Sequence, residues 1–360
     1  MPTEFDINDT DLVLDALPDD VVASMEVRDR YMNDLGVNGG AGLEFIVEDI
    51  LRWVPGQVVK VAFLDGTSAL HADIMDAVQE IVTACNIKLD FGKDGNGNFR
   101  RWKETDTTYT ADIRVSFDKG GYFSLVGTDS VNPNIGSPMS RIGGRARQCS
   151  LNLGGYAVQR PVKWRGTVRH EFLHALGFHH SHQNMRGPCQ AAFRWDDDPG
   201  YQPTRDARGT FIPDAQGRRP GVYTYLAGHP NNWNRAKVDH NLKTEEDPNV
   251  VAGPFDRASV MLYRFPDSFY KTVPSPCAPS GEGQSLSEQD KRGLRLLYPQ
   301  TAGDVEAAVA AQRSIADAIA PDGGGGDAAM SLETMEEGGA ASYEFLSAAA
   351  SIIRRNLGAV

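Results

Sequence analysis

The chain has 360 residues, of which 41% are hydrophobic and 23% are charged, and its formal net charge at pH 7 is -12. This composition is ordinary for a globular protein, and the length allows one large domain with extensions or two modest domains. The acidic charge argues against a nucleic-acid or anionic-membrane partner, and no apolar run is long enough to cross a bilayer.

The first 51 residues are acidic and only weakly periodic, with short helices predicted at Asp20–Leu35 and Leu43–Leu51. The chain does not open with a basic stretch and an apolar core, so we expect no secretory signal peptide. Two interpretations remain, a loosely packed N-terminal extension and a propeptide that blocks a cleft. No cysteine lies here that could bind a metal, which favours the extension.

The next hundred residues predict alternating strands and a helix. VVKVAFL is β-branched and apolar and ends at the turn Asp65-Gly66, which indicates a strand. Leu70–Cys85 has apolar residues at helical spacing, and IKLDF and ADIRVSF indicate two further strands. After a loop-rich stretch, SLNLGG predicts another short strand from Ser150.

The stretch TVRHEFLHALGFHHSH contains five of the chain's eight histidines. His170 and His174 are four residues apart, so both side chains lie on one face of a helix, with Glu171 beside the first. This is the HExxH arrangement, in which two histidines hold zinc and the glutamate acts as general base. A surface helix with two unremarkable histidines is the alternative for an isolated HExxH.

The residues after HExxH argue against a chance match. Gly177 lies where a helix needs a left-handed residue to turn the chain, and His180 follows three residues later. His180 can therefore offer a third nitrogen to the same ion. His179 and His182 flank it with a poorer spacing, and either could act behind the metal ligands.

Downstream, the sequence is rich in loops before a final helical part. Cys189 and Cys277 could pair in an oxidising environment, whereas Cys85 fits a buried thiol, and no CxxC pair suggests a cysteine metal ligand. A helix is predicted at Asn232–Leu242 and a capped amphipathic helix at Ser285–Leu297. The Ala- and Gly-rich tail of residues 301–360 is not expected to carry chemistry.

HEFLHALGFHH and the later SVMLY resemble the zinc signature and the Met-turn of the metzincin metallopeptidases. VVKVAFLDG, ADIRVSF, LNLGG and SLSEQDKRGLRLLYP add to a likeness with astacin-like and matrixin-like members over residues 52–300. The resemblance implies an α+β catalytic domain at 52–300. Such a domain has a twisted, mostly parallel sheet with an antiparallel edge strand, a zinc helix and a smaller loop-rich C-terminal subdomain. Residues 1–51 and 301–360 would then be an extension and a tail.

The resemblance also implies roles for individual residues. Zn²⁺ would be held by His170, His174 and His180, with Glu171 as the base. Tyr263 would ligate zinc or stabilise the oxyanion, and Met261 would form an apolar floor below the metal. The edge strand that pairs with an extended substrate would comprise Ser150, Leu151, Asn152 and Leu153.

The leading hypothesis is thus a zinc-dependent endopeptidase that acts on polypeptides, with no nucleic-acid partner, no membrane insertion and a monomeric chain. One alternative is a non-catalytic, zinc-containing peptide-binding protein on a metzincin scaffold, against which the intact Glu171 argues. Another is a zinc hydrolase for a non-peptide amide. Ser181 matches matrixins and Tyr263 matches astacins, so the subfamily stays open. The resemblance suggests a secreted protein, whereas no signal peptide is visible, so the compartment stays open as well.

Overall fold

The computed structural model describes residues 17–38, 51–184, 186–244, 254–319 and 339–358. The predicted helix Leu43–Leu51 lies almost wholly outside these residues, and the run of four glycines in the tail, residues 323–326, lies wholly outside them. Ten α-helices in the described part are, in order, α1 Asp19–Asn38, α2 Ser68–Ala77, α3 Gln79–Ala84, α4 Trp164–Ala175, α5 Cys189–Ala192, α6 Val222–Leu226, α7 Arg235–Leu242, α8 Glu288–Leu297, α9 Ala302–Ile319 and α10 Gly339–Leu357.

The main sheet has five strands in the order β2-β1-β3-β5-β4. Its members are β1 Val58–Phe63, β2 Lys88–Asp90, β3 Ile113–Ser116, β4 Tyr122–Ser124 and β5 Leu151–Leu153. All neighbouring pairs are parallel except β4 with β5, which is antiparallel. A second, two-stranded sheet pairs β6 Thr204–Arg205 with β7 Phe211–Ile212. The predicted fold class, α+β with a mostly parallel sheet and an antiparallel edge strand, is confirmed.

The edge of this sheet differs from the prediction. Leu151–Leu153 is paired on both sides, with β3 and with β4, and Ser150 to Leu153 are all buried. The antiparallel edge is β4, Tyr122–Ser124. The assignment of Ser150–Leu153 to the edge is therefore corrected. The three-residue segment YFS lies in loop-rich sequence and pairs only because the chain folds back onto β5.

The sheet packs on one side against α2, α3 and α4. Val61, Ile113 and Val115 are fully buried in this core together with Ile74 of α2 and Phe172 of α4. Burial of each such side chain stabilises the fold by roughly 1.5–3 kcal/mol. Because the apolar residues of α4 face the sheet, the opposite face of the helix points away from it.

Two buried side chains cap the C-terminal end of α4. Trp53 donates its indole N–H to the Ala175 carbonyl at 2.8 Å, and the Tyr298 hydroxyl donates to the Leu176 carbonyl at 2.7 Å. The last carbonyls of a helix have no partner within the helix, so these bonds satisfy groups that would otherwise be buried without one. They also connect α4 to a residue that precedes β1 in the chain and to a residue that follows α8.

The part of the chain after α4 is poor in regular structure, as predicted, and has its own apolar cluster around Phe193, Val238 and Phe269. Cys189 and Cys277 form a disulfide with a Cα–Cα distance of 4.8 Å. Helix α7 begins after an Asn234 cap that accepts from Lys237 N. Helix α8 begins after Ser287 in a complete capping box with Asp290.

The terminal helices pack against one loop of the domain. Val21 and Met25 of α1 contact the cluster of Leu125 and Ile135, which also includes Phe345 of α10. Helices α9 and α10 pack on each other and on Leu51 and Val126. None of the described helices is long and apolar enough to cross a membrane.

Candidate metal centre

Helix α4 places two of the signature histidines together. His170 and His174 are one turn apart and are both buried. Val168, Phe172 and Leu173 are fully buried on the faces that pack into the core, so the histidine face has a fixed orientation. The helix ends at Ala175, Leu176 is its C-cap, and Gly177 follows with φ of +97°, a conformation that L side chains rarely adopt.

The turn at Gly177 brings the third histidine to the first two. The Nε2 atom of His174 lies 3.1 Å from Nε2 of His170 and 3.0 Å from Nε2 of His180. Ligand atoms of the three residues all lie within 4.8 Å of one another, and within the described chain they form a candidate metal cluster. His179, next to His180, is exposed instead.

The outer nitrogens show that this cluster is suited to a metal ion. Nδ1 of His170 donates to the Val260 carbonyl at 2.8 Å, and Nδ1 of His174 donates to the Phe178 carbonyl at 2.6 Å. Carbonyls only accept, so the proton of each ring is on Nδ1 and each Nε2 presents a lone pair. Lone pairs at such short separations repel unless a cation lies between them.

The spacing also fits zinc. Tetrahedral zinc with Zn–N bonds of 2.0–2.1 Å holds its nitrogens roughly 3.3 Å apart. The observed separations of 3.0 and 3.1 Å are within a few tenths of an ångström of that value. Three histidines also match the ligand number of catalytic zinc sites, which keep one position open.

Glu171 is buried at 1% exposure on the same turn of α4 as His170. Burial raises the pKa of Tyr156 well above its ordinary value, and the charges of Tyr122 and Glu171 raise it further. The Tyr156 ring in turn packs edge-on against Tyr122 of the edge strand β4, with ring centroids 5.6 Å apart. The carboxylate is thus held in a dry site close to the edge strand.

The SVMLY segment lies against the histidine cluster. Met261 is buried, and its carbonyl accepts a hydrogen bond from Ser181 N at 3.0 Å. The Tyr263 ring packs on His180 with centroids 4.5 Å apart and on His170 with centroids 5.6 Å apart. Both residues singled out from SVMLY therefore contact the elements that carry the three histidines.

A buried carboxylate holds this segment in place. Asp290 of α8 accepts from Ser259 Oγ at 2.6 Å and from Val260 N at 3.1 Å, and its own N–H bonds Ser287 Oγ. The sequence contains the SxxD spacing of the helix cap, but nothing in it indicates that the same carboxylate reaches the SVMLY turn. This role of Asp290 could not be predicted from the sequence.

His182 is the other buried histidine of the signature stretch. Its ring packs on Tyr263 with centroids 4.7 Å apart and on His180 with centroids 5.0 Å apart. Its Nε2 bonds the Asn241 carbonyl at the end of α7. It therefore lies behind the cluster and does not belong to it.

Neither a family model nor a curated protein matches this sequence. Among solved structures, one of myroilysin is 25% identical, with a TM-score of 0.47 over 70% of this chain and 97% of that chain. A second myroilysin structure is 23% identical, with a TM-score of 0.40 over 69% of this chain and 86% of the other. High choriolytic enzyme 1, a hatching-enzyme zinc-protease of the medaka Oryzias latipes, is 18% identical, with a TM-score of 0.39 over 70% and 96%.

The three-histidine cluster that the metzincin-like signature implies is present in the structure. The three histidines of the signature meet, and Gly177 makes the turn that the signature requires. The candidate site of this chain thus contains the three histidines of the signature, a buried glutamate beside them and a tyrosine packed on two of them.

Proposed function

We propose that this protein is a zinc-dependent endopeptidase, with Zn²⁺ held by His170, His174 and His180. The observation that carries the proposal is that Nε2 of His174 lies 3.1 Å from Nε2 of His170 and 3.0 Å from Nε2 of His180. At the same time, Nδ1 of His170 and Nδ1 of His174 are bonded to main-chain carbonyls. When bound, zinc lowers the pKa of a water to about 7 and polarises a carbonyl.

Glu171 is proposed as the general base. Its carboxylate would take a proton from the attacking water and deliver it to the nitrogen of the leaving amine. The burial of Glu171 strengthens its interactions with the reacting groups, because electrostatic attraction grows as water is excluded. The Tyr263 hydroxyl would donate a hydrogen bond to the oxygen on which negative charge develops.

The substrate would be an extended polypeptide. Strand β4 is the edge of the main sheet among the described residues, and it packs against α4, which carries Glu171. The unpaired main-chain groups of an edge strand can bind a peptide as an added strand. We therefore propose that Tyr122–Ser124 has the substrate-binding role expected for Ser150–Leu153. Strand β5, Leu151–Leu153, pairs with it on the inner side of the sheet.

The test is metal content measured together with casein cleavage. We expect one equivalent of zinc per chain, and loss of both zinc and cleavage in His174→Ala. The matched control is His179→Ala, which removes an exposed histidine beside His180 and should keep both. A wild-type protein that binds no zinc, or a His174→Ala variant that retains full zinc and cleavage, would overturn the proposal.

A further inference from the structure

The third histidine differs from the other two in what holds it. His170 and His174 donate from Nδ1 to the carbonyls of Val260 and Phe178, whereas Nδ1 of His180 faces the side chain of Gln183. The distance from His180 Nδ1 to Gln183 Oε1 is 3.3 Å. His180 is therefore oriented by a side-chain acceptor, which a substitution can remove, and not by a main-chain carbonyl.

The orientation of the Gln183 amide is fixed by its second bond. Its Nε2 donates to the His240 carbonyl at 2.8 Å, and a carbonyl can only accept. Consequently Oε1 is the atom that faces His180 and it must accept from Nδ1–H. This places the proton of His180 on Nδ1 and leaves Nε2 to face the cluster, as in the other two histidines.

Helix α7 anchors this arrangement. Its last turn presents carbonyls that have no partner within the helix. The His240 carbonyl accepts from Gln183, and the next carbonyl, Asn241, accepts from His182 at 2.8 Å. Two successive side chains after His180 are thus bonded to two successive carbonyls of α7, so the segment with the third ligand is fixed to the end of this helix.

We propose that Gln183 is a positioning residue for the metal centre, which sets the tautomer and orientation of His180 through Oε1. This inference rests on the proposed zinc site and adds a residue to it. Partners of metal-binding histidines commonly change metal affinity by about 10–100-fold when they are removed. Gln183 should therefore act on metal affinity even though it does not contact the metal.

The test is zinc affinity, measured by competition with a chromogenic chelator on the full chain. Gln183→Leu keeps the size of the side chain and removes the acceptor, and we expect its affinity to fall about 10–100-fold. Gln183→Glu retains an oxygen that can accept from Nδ1 but loses the donor to His240, and its affinity should stay within a few fold of the wild type. The difference between the two variants separates the acceptor from the anchoring bond to α7.

Gln190→Leu is the matched control. In the wild type, Oε1 of Gln190 accepts from Thr244 N at 2.8 Å, just beyond α7. Removal of this acceptor should leave zinc affinity unchanged. Wild-type zinc affinity in Gln183→Leu, or equal losses of zinc affinity in Gln183→Leu and Gln183→Glu, would overturn the positioning role of Gln183 and leave the proposed zinc site standing. A wild type that binds no zinc would instead overturn the proposed function from which this inference starts.

Discussion

The Val260 carbonyl accepts a hydrogen bond from Nδ1 of His170 at 2.8 Å, and the Val260 N–H donates to Asp290 at 3.1 Å. One residue of the SVMLY turn therefore connects a histidine of the cluster to the first turn of α8. Asp290 is buried and also accepts from Ser259 Oγ and caps its own helix. The position of the turn, and through it the orientation of His170, depends on this carboxylate.

Asp290→Ala should lower the free energy of unfolding by about 2–4 kcal/mol, because buried donors lose a charged acceptor and α8 loses half of its capping box. Zinc affinity should also fall, since Val260 is no longer held against His170. Urea denaturation and chelator competition measure the two effects. Asp304→Ala, which removes an exposed cap partner of Thr301, is the control and should cost less than about 1 kcal/mol. Equal effects of the two substitutions would contradict this account.

Tyr263→Phe should lower kcat about 100-fold with little change in zinc content or stability. The hydroxyl would be lost as a donor to the oxyanion, while the ring would still pack on His170, His180 and His182. Steady-state cleavage of a fluorogenic peptide measures kcat and KM separately. Tyr225→Phe removes a hydroxyl from a tyrosine that packs on Phe269 and serves as control. An unchanged kcat in Tyr263→Phe would show that the tyrosine only packs.

The disulfide should stabilise the part of the chain after α4. Cys189 and Cys277 are 88 residues apart, and closing a loop of that length restricts the unfolded chain. Replacement of both by alanine should lower the free energy of unfolding by about 2–5 kcal/mol. A reducing agent should destabilise the wild type in denaturation experiments and leave the double variant unaffected. Equal sensitivity of the two proteins to reduction would argue against this pairing.

Alkaline pH should destabilise the fold through buried neutral groups. Burial raises the pKa of the Cys85 thiol from 9.0 to about 12 and that of Tyr270 from 10.0 to about 12. A raised folded-state pKa gives stability that is complete below the unfolded value and is lost as pH rises toward the folded value. For Cys85 this window runs from pH 9 to about 12.

Each such group should add a slope of about 1 kcal/mol per pH unit between its ordinary and its raised pKa. Urea denaturation at pH 8, 9, 10 and 11 measures it. Cys85→Ala removes one titrating group, so its stability should decline less steeply with pH than that of the wild type. Parallel pH profiles for the two proteins would rule out a contribution of Cys85.

The sequence predicted the meeting of the three histidines well, because their spacing depends only on helical periodicity and on one left-handed glycine. His170 and His174 share a face of any helix, and Gly177 brings His180 back wherever the helix lies. The caps of α7 and α8 were equally local, since Asn234 and Ser287 bond to residues three positions later.

What the sequence could not supply were contacts across long separations. Asp290 reaches Val260 over 30 residues, and Gln183 reaches His240 over 57. The edge strand was misplaced for a related reason. Tyr122–Ser124 is too short to show alternation, and its pairing with β5 depends on the loop between them.

The most direct test of the central claim is casein cleavage by wild type and Glu171→Gln, with zinc measured in both proteins. Glutamine keeps the size of the side chain but cannot accept the proton, and His170, His174 and His180 are unchanged. We predict one zinc per chain in both proteins and a loss of cleavage of about 100- to 10,000-fold in the variant. Glu282→Gln, at an exposed glutamate, should retain full cleavage. Undiminished cleavage by Glu171→Gln with zinc bound would contradict the proposed role of Glu171 as the general base.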